Sequence, residues 1–529
     1  GIVNANCRQA DVFRSIEIRL PFSGSRSPAC PTLDSLLPIP GRHSVTTSLH
    51  ERAAALILDA FLDYNARFSD ITRRAKRRFE RRDWKYVQVD ANARGDLYDV
   101  CLKETLGRLE LLAEERLRSR AFWAATRDAL AQRVEPMLDR EFPKTFFNSL
   151  SRRRFHTAGV AADIEFVDLH SEPTTGIVDA VDLHRYEVAD GMRRVCARIL
   201  ADFPFANGYA DIKACVGAIA RSLRDRLQHR HASGLQSIEL IPVPFFRERR
   251  AYLVGRAVSE RGHLPVVIAL VSTPQGVMAD AVLTEVEQLS QLFSYARSYF
   301  HADLPTVADI VVFLSALMPH KPIDELFTLL GRVKQGKTER YRHLFRHLQR
   351  HADERLVRAD GARGMVMAVF TPRDYPLVFK VIRDRFAYPK DIGRRQVEEK
   401  YRLVFRHDRI GRLLDAQEFR HLHFRRDQFD ADMLEELLDE CAEAVSLQGD
   451  QVLVRHCYVQ RRLRPMNLFV REASAADALR AMLDYGQSIK DLARSNVFPG
   501  DLLLKNFGIS RGGRAIFYDY DELCLLDDC

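Results

Sequence analysis

The stretch Asp501-Leu-Leu-Leu-Lys-Asn506, followed across a hairpin by Asp519-Tyr-Asp521, constrains this chain more than any other feature. Between the two lie Phe507-Gly-Ile-Ser, a turn at Arg511-Gly-Gly and the apolar run Ala515-Ile-Phe-Tyr518, which predict two short antiparallel strands ending on Asp519. An acid, an amide five positions on, and a second acid at a strand end form the order that phosphoryl transfer requires. The first takes or orients a hydroxyl proton, and the other two hold metal against phosphate oxygens. A lone Asp after Pro-Gly is more often a turn or cap residue, so the reading rests on the ordered set.

Upstream, from about residue 354, the chain reads strand, glycine turn, strand, turn, strand, helix. Leu356-Val-Arg precedes Asp360-Gly-Ala-Arg-Gly364, then come Met365 to Phe370, a Thr-Pro-Arg-Asp-Tyr-Pro turn, Leu377 to Ile382, and a helix over 394–407. Gly361 and Gly364 let backbone N–H groups approach phosphate oxygens, though two such glycines alone would mark any hairpin. Lys380 adds weight, because it sits mid-strand among apolar residues, where a buried ammonium is costly without an anion. Its expected partner is a helix glutamate, Glu399 or the adjacent Glu398. This is the plan of a protein-kinase-like domain with two departures: Phe498-Pro-Gly stands where His-Arg is usual, and Asp-Tyr-Asp where Asp-Phe-Gly is usual.

At 529 residues the chain exceeds one hydrophobic core. A formal charge of +8, from 80 basic and 72 acidic residues, is a thin excess that argues against nucleic acid as the main partner. Nine scattered cysteines with no C-x-x-C pair suggest reduced thiols in the cytoplasm, and apolar runs such as 264–271 and 309–318 fall short of a membrane span. Residues 1–47, rich in proline and serine and lacking an initiating Met, read as a disordered leader or upstream extension.

Residues 48–353 read as a mainly helical domain. Leu56, Ile57, Ala60, Phe61, Tyr64 and Phe68 recur at helical spacing, and the basic run 73–82 reads as a solvated helix face. Helical patterns continue over 97–140 and 211–230; a small sheet is expected within 237–283, and helices again from 284 to about 351. Within that last stretch, 297–301 and 334–341 read as polar helix faces or connectors. The fold class is therefore α+β, a helical domain with an embedded sheet followed over 354–529 by a bilobal kinase-like domain. Asp415 reads only as a helix-terminal carboxylate.

Several phrases, Ile241-Pro-Val-Pro-Phe-Phe246, Ala251-Tyr-Leu-Val-Gly-Arg256, Ala296-Arg-Ser-Tyr-Phe300, Val378-Phe-Lys-Val-Ile382, Phe498-Pro-Gly-Asp501 and Tyr518-Asp-Tyr-Asp-Glu522, together resemble the bacterial isocitrate dehydrogenase kinase/phosphatases. The resemblance spans residue 48 to the end. It implies a regulatory domain that responds to AMP and ADP, and one site that phosphorylates a serine of isocitrate dehydrogenase with ATP and removes it again. It also implies an ATP loop of Ala359, Asp360, Gly361, Ala362, Arg363, Gly364 and Met365, with Lys380 as the nucleotide lysine. Asp501 would be catalytic, Asp415 would serve mainly the phosphatase direction, and Asn506 and Asp519 would hold Mg2+ or Mn2+. A homodimer is left open. Family members continue with a further helical segment beyond the metal motif, so the lower lobe is expected to be incomplete at Cys529 and kinase activity weakened. The competing reading is a kinase-like nucleotide sensor without transfer.

Overall fold

In the computed structural model, residues 48–528 are described except 175–180, 229–233, 294–298, 389, 391 and 408–410. The expected leader, 1–47, and the Ala296-Arg-Ser part of one family phrase lie outside the described residues.

The helical domain opens with α1 (Leu49–Arg81), started by a reciprocal cap in which the Ser48 hydroxyl accepts from the Glu51 N–H and Glu51 accepts from the Ser48 N–H. It packs with α2 (Trp84–Ala113), α3 (Arg120–Val134) and α4 (Glu141–Phe155) around Phe61, Tyr64, Tyr98 and Phe146. The basic run at the end of α1 is an ion-paired face, with Arg74 and Arg78 both reaching Asp90.

A six-stranded antiparallel sheet follows, built from β1 (His184–Glu187), β2 (Leu235–Leu240), β3 (Phe245–Arg247), β4 (Arg250–Ser259), β5 (Gly262–Thr273) and β6 (Gly276–Leu283), with α5 (Met192–Asp202) and α6 (Ile212–Gln228) inserted after β1. The apolar run 266–270 of β5 alternates between two cores. Val266, Ile268 and Leu270 face α5 and α6, whereas Val267 and Ala269 face the four-helix side. Both faces are covered, so both phases of the strand are apolar.

After the sheet come α7 (Val286–Leu292), α8 (Ala308–Leu317), α9 (Ile323–Leu329) and α10 (Val333–Arg350). Two expectations need correction here. The helical stretch breaks around 299–307, where His301 exchanges backbone hydrogen bonds with Phe246 and Phe300 is fully buried against Phe293 and Phe245. The polar segment 334–341 is not a solvated face: Gln335, Glu339, Arg340 and Arg342 are buried, because Thr145, Asp324 and Glu141 supply partners for Gln335, Arg340 and Arg342, and Gln335 and Arg342 in turn hold Glu339.

The upper lobe of the second domain is a six-stranded sheet of β7 (Leu356–Arg358), β8 (Met367–Pro372), β9 (Leu377–Ile382), β10 (Ala416–Arg425), β11 (Val445–Gln448) and β12 (Gln451–Arg461), in spatial order β10-β12-β9-β8-β7 with β11 on β12. Helix α11 (Arg394–His407) packs on one face through Val397, Tyr401 and Val404. The other face is covered by α12 (Ala431–Glu440) and by α10, whose Leu344 and Leu348 join the core of Phe370, Phe379 and Phe424. The lower lobe carries β13 (Arg464–Pro465), α13 (Met466–Glu472), α14 (Ala475–Arg494), β14 (Val497–Phe498), the hairpin β15 (Phe507–Ile509) and β16 (Ala515–Phe517), and β17 (Cys524–Leu525), which pairs with β14.

Candidate active site

Lys380 lies at the centre of β9, paired in register with Val369 of β8 and Tyr458 of β12. It is buried, and its Nζ donates to the Tyr518 carbonyl at 2.7 Å while lying 4.9 Å from the centroid of the Tyr518 ring. Burial lowers its pKa to about 8, against the pull of Asp519 and Asp521. The expected glutamate pair is not formed. Glu399 is exposed and pairs with Arg395 one turn away, and among the described residues Lys380 makes no ion pair. Glu398 lies on the inner side of α11, close enough to help raise the pKa of the Tyr458 phenol. The helix phase turns one glutamate inward and its neighbour out.

The residue after the captured carbonyl is Asp519. Burial and the adjacent Asp521 carboxylate push its pKa up to about 6, opposed by Lys380. Asp521 also pairs with Lys390 at 3.0 Å. Two carboxylates held together and only partly compensated suit a divalent cation. Among the described residues no cluster of three or more His, Cys, Asp or Glu side chains could hold a metal ion.

Asp501 follows a backbone that only glycine supplies. Gly500 has φ +82°, and a Cβ there would sit 2.7 Å from the Glu522 carbonyl oxygen. The loop after Asp501 is a tight turn closed by Asn506, whose Nδ2 donates to the Asp501 carbonyl at 3.2 Å. The Asn506 carbonyl in turn accepts from the Tyr518 N–H, and the Tyr518 hydroxyl donates to the Lys505 carbonyl. Tyr518 thus joins Lys380 to the Asp501–Asn506 loop through its carbonyl, N–H and hydroxyl, directly before Asp519.

The glycine turn 359–365 crosses above with mostly exposed side chains. Gly361 has φ +116°, and a Cβ on Gly364 would press the Met367 carbonyl at 2.8 Å. Arg363 is tied to Glu436 and Glu440 of α12, and Asp360 to Arg464 of β13, so both lobes anchor the turn.

Asp415 stands apart from this group. Its carboxylate is buried against the helical domain, 3.8 Å from Arg340 of α10 and hydrogen-bonded by Gln417 at 3.3 Å. Its backbone nonetheless adjoins the site, because the neighbouring Leu414 accepts from the Tyr520 hydroxyl. The doubled acid in Asp-Tyr-Asp pointed to Asp521, but the local sequence singled out neither its partner Lys390, nor the Tyr518 carbonyl, nor Arg340. Each of these depends on a contact distant in the chain.

Residues 54–353 match the family described as isocitrate dehydrogenase kinase/phosphatase (AceK), regulatory domain, and residues 354–529 its kinase domain. The isocitrate dehydrogenase kinase/phosphatase of Xanthomonas euvesicatoria pv. vesicatoria (strain 85-10) is 54% identical over 477 residues, covering 90% of this chain and 82% of that protein. The protein of the same name from Anaeromyxobacter sp. (strain Fw109-5) is 43% identical over 479 residues, covering 90% and 83%. The chain, its lysine, acids and amide set on a kinase scaffold beneath a helical domain, belongs to the isocitrate dehydrogenase kinase/phosphatase family.

Proposed function

We propose that this chain transfers the γ-phosphoryl group of ATP to a serine of isocitrate dehydrogenase and, at the same site, passes that phosphoryl group from the phosphoserine to water. The observation that carries the reading is the convergence of Lys380, Asp501, Asn506 and Asp519 on Tyr518 and its neighbours. Lys380 neutralises nucleotide phosphate; its ammonium is held at the metal loop by one carbonyl and has no competing ion pair among the described residues. The glycine turn offers backbone N–H groups to the phosphate oxygens. In the forward direction Asp501 accepts the serine hydroxyl proton as the oxygen attacks phosphorus and ADP leaves. In the reverse direction the same carboxylate orients water against the phosphoserine, and Asp415 serves this direction. Asn506 and Asp519, with Asp521, would hold Mg2+ or Mn2+, which when bound neutralises charge developing on the phosphate oxygens.

AMP or ADP would bias the two directions from the cleft between the domains, a cavity of about 910 Å3 lined by Tyr64, Trp84, Tyr98, Arg94, Arg332 and Lys337. Lys337 there forms no hydrogen bond or ion pair among the described residues and lies over the Phe419 ring, and burial lowers its pKa to about 8. Aromatic faces with unneutralised cations suit a purine monophosphate. Among the described residues no helix is long and apolar enough to cross a membrane, and the reading places the enzyme in the cytoplasm.

The test is transfer of labelled phosphate from Mg·ATP to purified isocitrate dehydrogenase. Asp501→Ala and Lys380→Met should each lower the rate at least about 100-fold, and transfer retained in both would overturn the site. A nucleotide sensor without transfer predicts ATP binding but no label on isocitrate dehydrogenase from the unsubstituted chain.

A further inference from the structure

The buried ion network between the domains ends at Asp415, with Leu414 and Tyr520 between it and the metal acids. Arg340, on α10 of the helical domain, has a side chain only 4% exposed, and its Nε donates to Asp324 of α9 at 2.8 Å. Its Nη1 faces Asp415 at 3.8 Å. Beside it, Glu325 bridges Lys321 at 2.9 Å and Arg461 of β12 at 3.1 Å, so the charges of α9 and α10 are matched by residues of both domains. Pairs this deep are costly to break on one side, because the partner left behind stays buried and charged. They therefore hold the two domains in one relative position at this point.

Asp415 in turn is covalently next to Leu414, whose backbone is fully engaged. Its N–H donates to the Phe517 carbonyl at 3.0 Å, and its carbonyl accepts from the Tyr520 hydroxyl at 2.6 Å. Tyr520 is fully buried, wedged edge-on against Tyr401 with ring centroids 5.1 Å apart, and lies between Asp519 and Asp521 in sequence. The same hydroxyl also lies 3.3 Å from the Phe517 carbonyl, but the Leu414 carbonyl is the shorter contact; a buried hydroxyl gives up such an acceptor reluctantly, so the placement of Leu414 fixes Tyr520, and Tyr520 fixes the two acids beside it.

We infer that Arg340 is a positioning residue for the metal loop: by holding Asp415 it sets the Leu414 carbonyl that anchors Tyr520, and so sets the spacing of Asp519 and Asp521 from within the helical domain. The inference rests on the reading of Asp519 as a metal residue. It makes α10 the element through which an event in the helical domain reaches the catalytic metal, without any change in the residues that touch nucleotide.

The experiment measures Mn2+ binding by electron paramagnetic resonance to the full chain saturated with a non-hydrolysable ATP analogue. Hydrogen exchange of amides 517–523 is followed in parallel without metal. Arg340→Met and Tyr520→Phe should each weaken Mn2+ by about 10-fold, the usual scale for residues that orient metal ligands, and each should speed exchange in 517–523. The double variant should be no weaker than the worse single one, since both break the same chain of contacts. Unchanged affinity in Arg340→Met, or effects that add in full, would overturn the inference. Should Arg340→Met not fold, Arg340→Lys, which keeps the buried charge but loses the guanidinium fork, carries the same comparison. Asp519→Asn separates the two levels: if it leaves Mn2+ affinity intact, the metal reading itself fails, whereas if it abolishes binding while Arg340 has no effect, only the present inference fails.

Discussion

At the scale of single residues, the site is organised by groups whose charge is expensive where it stands. Lys337 shows this most simply, with a pKa of about 8 against an ordinary 10.5. A base depressed in the folded state lowers stability fully at pH values below 8, and the penalty fades as pH rises from 8 towards 10.5. Lys337→Met should therefore raise stability at pH 7 by up to about 3 kcal/mol, the gain vanishing near pH 10.5, as thermal unfolding across that range would show. The same variant should weaken AMP by about 10-fold in calorimetry if the ammonium meets the phosphate. A residue that costs stability and contacts nothing charged is best understood as waiting for a ligand.

At the scale of elements, the glycine turn depends on α12 for its position. Glu436 receives Arg358, Arg363 and Arg383, and Arg383 is almost wholly buried. Glu436→Gln should cost about 2 kcal/mol in unfolding free energy and, by releasing Arg363, raise the KM for ATP several-fold with a smaller effect on kcat, which steady-state kinetics would resolve. Which elements were legible in advance follows the same division. β9 with Lys380, the Asp501–Asn506 turn and the β15–β16 hairpin are local patterns of alternation, glycine and fixed interval, and they were readable. Helix α10 was misread from 334 to 341 because periodicity assigns polar residues to solvent, whereas Gln335, Arg340 and Arg342 find a hydroxyl and acids on other helices, and Glu339 is held by Gln335 and Arg342 of its own helix. The glutamate partner of Lys380 was misjudged for a related reason: a strand lysine signals a need for an acceptor, but not that a backbone carbonyl at Tyr518 will meet it.

At the scale of the whole molecule, the two domains do not have separate cores. Leu344 and Leu348 of α10 belong to the core of the upper-lobe sheet, where Phe345 also packs at a tilt against Phe424. A chain begun at residue 354 should lack a cooperative thermal transition, and one begun at 320, which keeps α9 and α10, should regain it; near-ultraviolet circular dichroism on both would decide. Equal behaviour of the two would mean that α10 only decorates a sheet already stable without it.

The shared helix also has a consequence during synthesis. On the ribosome α10 emerges before any strand it packs against, and β12, at the centre of that sheet, is complete only at Arg461. At about 5 to 20 residues per second, the aromatic and leucine side of α10 stays uncovered for roughly 5 to 20 s. Through that interval the nascent protein presents a sticky, half-built seam, and the helical domain reaches its final form only once the catalytic sheet closes over it.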